Sequence, residues 1–85
     1  MNNVIAVIVT FNRKKLLTEC IESLLIQKYN CDILVIDNAS TDGTYEEIRG
    51  YIDNKKIKYV NTKRNLGGAG GFQFGIKLAV ENLYE

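Results

Sequence analysis

The chain has 85 residues, 46% of them apolar and 25% charged, the composition of one small globular domain or part of one. Eleven basic residues face ten acidic ones, so the basic excess of a nucleic-acid groove is missing. Cys20 and Cys31 have no CxxC partner and the chain has no His, which argues against zinc and leaves two reduced thiols acting as small apolar residues.

The first strand is Val4-Ile5-Ala6-Val7-Ile8-Val9, an unbroken β-branched run of the kind covered on both faces. After the loop Thr10-Phe11-Asn12-Arg13, the apolar residues Leu16, Leu17, Cys20, Ile21, Leu24 and Leu25 recur with helical spacing. Asn12 is the expected N-cap of that helix, and Asn30 the expected end of the connection behind it. A second unbroken strand, Ile33-Leu34-Val35-Ile36, leads into Asp37-Asn38-Ala39-Ser40-Thr41-Asp42-Gly43. The next helix opens at Thr44, with Glu47 three residues on as a capping-box partner and Tyr45, Ile48 and Ile52 as its apolar face. The third strand, Ile57-Lys58-Tyr59-Val60, alternates as an edge strand does. The glycine-rich loop from Asn61 to Gly71 follows. Phe72, Ile76, Ala79, Val80 and Leu83 then mark a third helix.

Strand–helix alternation at this spacing predicts an α/β fold, a Rossmann-like parallel sheet of three β-α units. There is no proline and no low-complexity linker, so the chain reads as one unit. Right-handed crossovers put the first two helices on one face of the sheet. The third covers the other face only if the chain turns back toward strand one. That gives strand order 3-2-1 with helices on both faces, and a fourth strand expected beside strand one. The free edge of strand one would invite pairing with another chain, so a homodimer through that edge is expected.

All three unusual loops follow the carboxyl ends of strands, where open parallel sheets bind ligands. Asp37 ends a strand and is expected to be fixed and partly exposed, able to accept from a base N–H or a ribose hydroxyl. Asp42, Gly43 and Thr44 read mainly as an Asx-type turn and helix cap, with Ser40 and Asp42 bracing it. Asn65-Leu66-Gly67-Gly68-Ala69-Gly70-Gly71 holds four glycines in its last five residues. Uncovered backbone N–H groups beside a helix start suit a phosphate, while close helix–sheet packing would also demand glycine. Two familiar nucleotide motifs fail. Gln73 stands where a dinucleotide fingerprint begun at Gly68 and Gly70 needs Gly or Ala. Ile76 stands where a P-loop built on Gly70 and Gly75 needs Lys. Arg13, Lys63 and Arg64 are cations near the ligand end that could meet a diphosphate, or simply solvated charges.

The segments Val7–Arg13, Leu34–Thr44 and Asn65–Phe72, in this order and spacing, resemble the opening of family 2 glycosyltransferases. The last segment looks most like members that transfer rhamnose or galactofuranose in bacterial cell-surface polysaccharide synthesis. The resemblance covers nearly the whole chain and implies a GT-A fold. It also implies roles: Thr10, Phe11 and Asn12 lining the base and ribose pocket, Asp37 bonding the uracil or thymine base or the ribose, Asp42 supporting its loop, and Asn65, Gly67 and Gly68 near the diphosphate. With Arg13, Asn38 and Ser40 from the same motifs, these are the expected nucleotide-sugar-binding residues.

The family's Asp-x-Asp type motif, which holds a divalent metal, and its later general base both lie beyond residue 85. No catalytic residue and no metal ligand is therefore assigned. The chain reads as the N-terminal nucleotide-binding part, residues 1–85, of a longer GT-A domain, inactive alone. The full-length enzyme would use Mg2+ or Mn2+. It would transfer a sugar from a UDP- or dTDP-linked donor to a glycan acceptor with inversion. The alternative is a stand-alone non-catalytic nucleotide-binding or protein-interaction module. A receiver-type signalling domain would need an acidic cluster after strand one, where Thr10-Phe11-Asn12 stands. No run of about 18 apolar residues is present, and residues 1–9 do not form a signal peptide. The expected location is cytoplasmic, with the full-length protein peripheral at the inner face of the membrane.

Overall fold

The computed structural model describes residues 5–27 and 31–83. The elements are β1 (Ile5–Thr10), α1 (Lys14–Leu25), β2 (Asp32–Asp37), α2 (Thr44–Asp53), β3 (Lys58–Asn61) and α3 (Gly67–Leu83). Val4 and Asn30, expected at the start of strand one and behind the first helix, lie outside the described residues. Both strand pairings are parallel, with β2 in the middle. The order β1-β2-β3 is the expected 3-2-1 order read from the opposite edge. The register sets Ile5 against Asp32 and Thr10 against Asp37, then Leu34 against Lys58 and Asp37 against Asn61.

Side-chain alternation along β2 divides the core into two layers. Ile33 and Val35 face α1 and α2, packing with Leu17, Ile21, Ile48 and Ile57. Leu34 and Ile36 face α3, with Val7, Val9, Val60 and Leu78 around them. Ile21, Val35, Ile36 and Ile48 are completely buried, each contributing roughly 1.5–3 kcal/mol relative to exposure. As handedness requires, the first two helices share one face and the third lies on the other.

The helices meet the sheet along narrower lines than hydropathy predicts. In α1 the packed line is Leu17, Ile21 and Leu24, while Leu16, Cys20 and Leu25 stay exposed. The departure is larger in α3. It begins at Gly67, inside the glycine run, rather than at Phe72. Its expected apolar markers Phe72, Ile76 and Val80 are exposed, and the packed line is Gly71, Gly75 and Leu78. A Cβ at Gly71 would lie 2.8 Å from Val9 Cγ1, and one at Gly75 2.7 Å from Val7 Cγ1. Without side chains at those two turns, the α3 backbone comes down onto the strands. Over those two turns the helix presents glycines to the sheet, and Leu78 packs beyond them. Among the described residues no helix is long and apolar enough to cross a membrane.

Candidate functional site

The carboxyl end of β2 supplies two buried polar residues in succession, Asp37 at 1% and Asn38 at 2% exposure. Continuing the alternation of the strand, they serve opposite faces of the sheet. Asp37 Oδ1 accepts from the Ser40 N–H at 2.9 Å and Oδ2 from the Tyr59 hydroxyl at 2.6 Å. Asn38 Nδ2 donates to the Gly67 carbonyl at 3.0 Å, and its Oδ1 lies 3.3 Å from the Thr62 hydroxyl. The expectation that Asp37 is partly exposed is therefore corrected. Buried carboxylates require partners, and loop and strand occupy both oxygens of this one.

The first two loops are locked together. Ser40 Oγ accepts from the Asn12 N–H at 2.9 Å, and Asn12 Oδ1 accepts from the Thr41 N–H at 2.7 Å. Asn12 has φ 51 and Ala39 φ 64, left-handed conformations that cost energy without glycine. Asn12 is thus a cross-loop brace and not the N-cap of α1. Arg13 takes that position without a side-chain cap, and Asp42 Oδ2, 3.3 Å away, accepts from the Lys14 N–H in its place. The expected capping box at Thr44 and Glu47 does not form either. Gly43, at φ 85, is the N-cap of α2, and Asp42 Oδ1 accepts from both the N–H and the hydroxyl of Thr44. Asp42 therefore caps two helices. The Thr44 hydroxyl, with help from the Lys14 and Thr44 N–H groups, holds its carboxyl below the ordinary 3.8 against a smaller desolvation penalty.

A cleft of about 500 Å³ opens at the carboxyl end of β1, between α1 and the start of α3. Thr10, Phe11, Arg13, Asn38, Asn65, Gly67 and Gly68 line its mouth. The rest of its lining is Ile8 and Val9 from β1 and Leu16, Leu17 and Cys20 from α1. The expected residues thus fall into two groups. Those seven meet at the cleft, whereas Asn12, Asp37, Ser40 and Asp42 do not line it and brace the loops instead; Asn12 and Asp42 line a neighbouring pocket that shares Arg13 and Leu16 with the cleft. Lys63 and Arg64 are exposed and do not line the cleft. Sequence reasoning missed the bracing by Tyr59 and Thr62, both of which belong to or follow β3. The only signal was that two hydroxyl-bearing residues, Tyr59 and Thr62, fall near the end of the third strand. It becomes informative only once the register is known.

Among the described residues no group of three His, Cys, Asp or Glu side chains could hold a metal ion. The carboxylates of Asp37 and Asp42 are committed to loop hydrogen bonds, so the residues present do not fit a divalent cation.

A parallel α/β sheet with its polar loops gathered over the carboxyl ends of its strands is Rossmann-like, an architecture whose ligand sites lie at that end. The model of glycosyl transferase family 2 matches residues 5–83, and the chain belongs to that family. It is 35% identical over 74 residues to a galactofuranosyltransferase of Mycolicibacterium smegmatis, a match covering 86% of this chain and 24% of that protein. It is 42% identical over 75 residues to an abequosyltransferase of Salmonella typhimurium, covering 82% of this chain and 22% of the other. An uncharacterized glycosyltransferase of Rickettsia felis is 40% identical over 75 residues, covering 87% and 12%. The chain thus spans about a quarter or less of the length of these curated relatives. The structure of a Pyrobaculum calidifontis mannosyltransferase in complex with GDP-Man and Mn2+ superposes with TM-score 0.80 at 23% identity, over 89% of this chain and 24% of that one. The fold is accordingly a partial GT-A fold.

Proposed function

We propose that the cleft receives the nucleotide part of a UDP- or dTDP-linked sugar and that the complete protein transfers the sugar to a cell-surface glycan with inversion. Residues 1–85 are the donor-binding part of that GT-A domain. The observation carrying this reading is the meeting of Thr10, Phe11, Arg13, Asn38, Asn65, Gly67 and Gly68 at one cleft in a family 2 chain. Phe11 is 43% exposed there and offers a ring to a base, and Arg13 offers a guanidinium to a diphosphate. The first turn of α3 begins at the rim, where helix N–H groups favour an anion. Asn12, Asp37, Ser40 and Asp42 contribute by fixing these groups in place.

A divalent metal, Mg2+ or Mn2+, belongs to the full-length enzyme, with ligands from outside these residues. The neighbouring mannosyltransferase was solved with Mn2+. Family membership favours the transferase over a stand-alone binding module. The protein acts on the cytoplasmic side, peripheral to the membrane. In the 85-residue chain, the half-buried β1 pairs only with β2 among the described residues and offers its other edge, the place of the expected fourth strand, to a second copy of this chain. Light scattering at high concentration tests this, and a monomeric mass would reject it.

Amide NMR titration of the chain with UDP and dTDP, with ATP and NAD as controls, tests the donor reading. Weak binding, with Kd on the order of millimolar, is expected for the nucleotide alone. Shifts confined to residues 10–13, 37–43 and 65–71 for the pyrimidine nucleotides support the reading. Equal response to all four nucleotides in a folded sample would remove it.

A further inference from the structure

Hydrogen bonds run in one line from the strand farthest from the cleft to its mouth. Tyr59 stands on β3, beyond β2, and does not line the cleft. Its hydroxyl donates to Asp37 Oδ2, and Asp37 Oδ1 takes the Ser40 N–H. Ser40 Oγ takes the Asn12 N–H, and Asn12 Oδ1 takes the Thr41 N–H. Asn12 sits between Phe11 and Arg13, which do line the cleft.

Each link holds something that would not stay in place alone. Asp37 is 1% exposed, so losing the donor at Oδ2 leaves a buried carboxylate oxygen short of a partner. Asn12 and Ala39 occupy left-handed backbone regions that need external support. Tyr59 is itself steadied from outside the line. Its ring packs against Tyr45 with centroids 5.3 Å apart and planes tilted by 56°. Burial, then the bond to Asp37, pushes the phenol far above its ordinary range.

We propose that Tyr59 is a positioning residue for the nucleotide cleft. It fixes Asp37, which through Ser40 fixes Asn12 and thereby the backbone carrying Phe11 and Arg13. The inference rests on reading the cleft as a nucleotide site and adds a residue that neither touches the cleft nor belongs to its loops.

Tyr59→Phe keeps the ring and its packing on Tyr45 and removes one hydroxyl. In the 85-residue chain titrated with UDP, it is expected to raise Kd about five- to tenfold. It should also shift the Asn12, Ser40 and Thr41 amides before any nucleotide is added. Tyr51→Phe is the control. It removes another tyrosine–carboxylate bond, 2.9 Å to Glu22 on the helical face, and should leave UDP affinity and those amides unchanged. A Tyr59→Phe protein that melts lower but keeps both its UDP Kd within twofold and its loop amides in place would make Tyr59 merely structural and overturn the proposal. Should Tyr59→Phe fail to fold, Ser40→Ala cuts the same line one link later, and unmoved UDP affinity and Asn12 amide there would overturn it equally. If the parent chain does not bind UDP, the donor reading falls separately. The ligand-free amides of Tyr59→Phe then decide whether the line of bonds positions the loops.

Discussion

The carboxamide of Asn38 lies against the Cα of Gly71, so close that a Cβ there would come within 2.9 Å of Nδ2. The residue bonding the start of α3 is therefore also the one over which α3 must pass. Gly71→Ala would gain up to about 1 kcal/mol of helix propensity. It would also force apart Asn38 and Val9, an overpacking cost of about 1–3 kcal/mol. Net destabilisation is expected in urea denaturation, and likewise for Gly75→Ala, whose Cβ would meet Val7 and Ile36. Gly50, on the exposed side of α2 with nothing within 4 Å, is the contrast. Gly50→Ala should stabilise by about 0.5–1 kcal/mol.

Asn12 carries two loads, a left-handed backbone and the bond to Thr41. Asn12→Gly relieves the first and loses the second. Asn12→Ala loses the bond and adds backbone strain of about 1–2 kcal/mol. The alanine variant should therefore melt below the glycine variant, and both below the parent. Equal melting temperatures would mean that the strain at this position is relaxed in solution.

Asp42 links stability to acid. Its carboxyl is held below 3.8, so its folded-state pKa is depressed relative to the unfolded chain. A depressed carboxylate contributes stability that is full above the unfolded pKa and is lost as pH falls through the folded pKa. Asp42→Asn should thus cost most at about pH 5 and progressively less toward about pH 2. Paired denaturation series over that range measure the difference. A difference that stays constant would show that the ionised form is not what caps the two helices.

Phe72, Ile76 and Val80 recur every four residues on α3 and are 47%, 44% and 60% exposed. A stripe outside the core should tolerate polar residues. Phe72→Gln and Ile76→Gln are expected to change unfolding free energy by no more than about 0.5 kcal/mol each and to raise solubility. Losses of several kcal/mol would place the stripe in a packed interface.

The three β-α units and their order were legible in the sequence because burial on both faces demands unbroken β-branched runs, and crossover handedness then leaves few arrangements. The motif residues Thr10, Phe11, Arg13, Asn65, Gly67 and Gly68 were legible as a group because all follow strand ends. Less legible was what each does. Asp37 at the end of a buried strand looks the same in sequence whether it faces ligand or loop. Tyr59 gained its role only from a register that sets it against Val35, diagonal to Asp37 on the same face of the sheet. Asn12 read as a helix cap because capping preference is local, whereas its partner Thr41 is 29 residues away.

By itself, then, the sequence determined the periodic features of this protein: which segments are strands, which loops lie at the carboxyl ends of those strands, and the family that these motifs define. Tertiary structure alone decided which residues line the cleft, which brace it from behind, and which face of α3 meets the sheet. The reason is one of range. Periodicity is a property of neighbours along the chain, and hydropathy records it. A buried polar group such as Asp37 or Asn38 finds its partners across strands, and a helix seats itself where its backbone can approach most closely. Here that is along Gly71 and Gly75, which no apolar pattern marks.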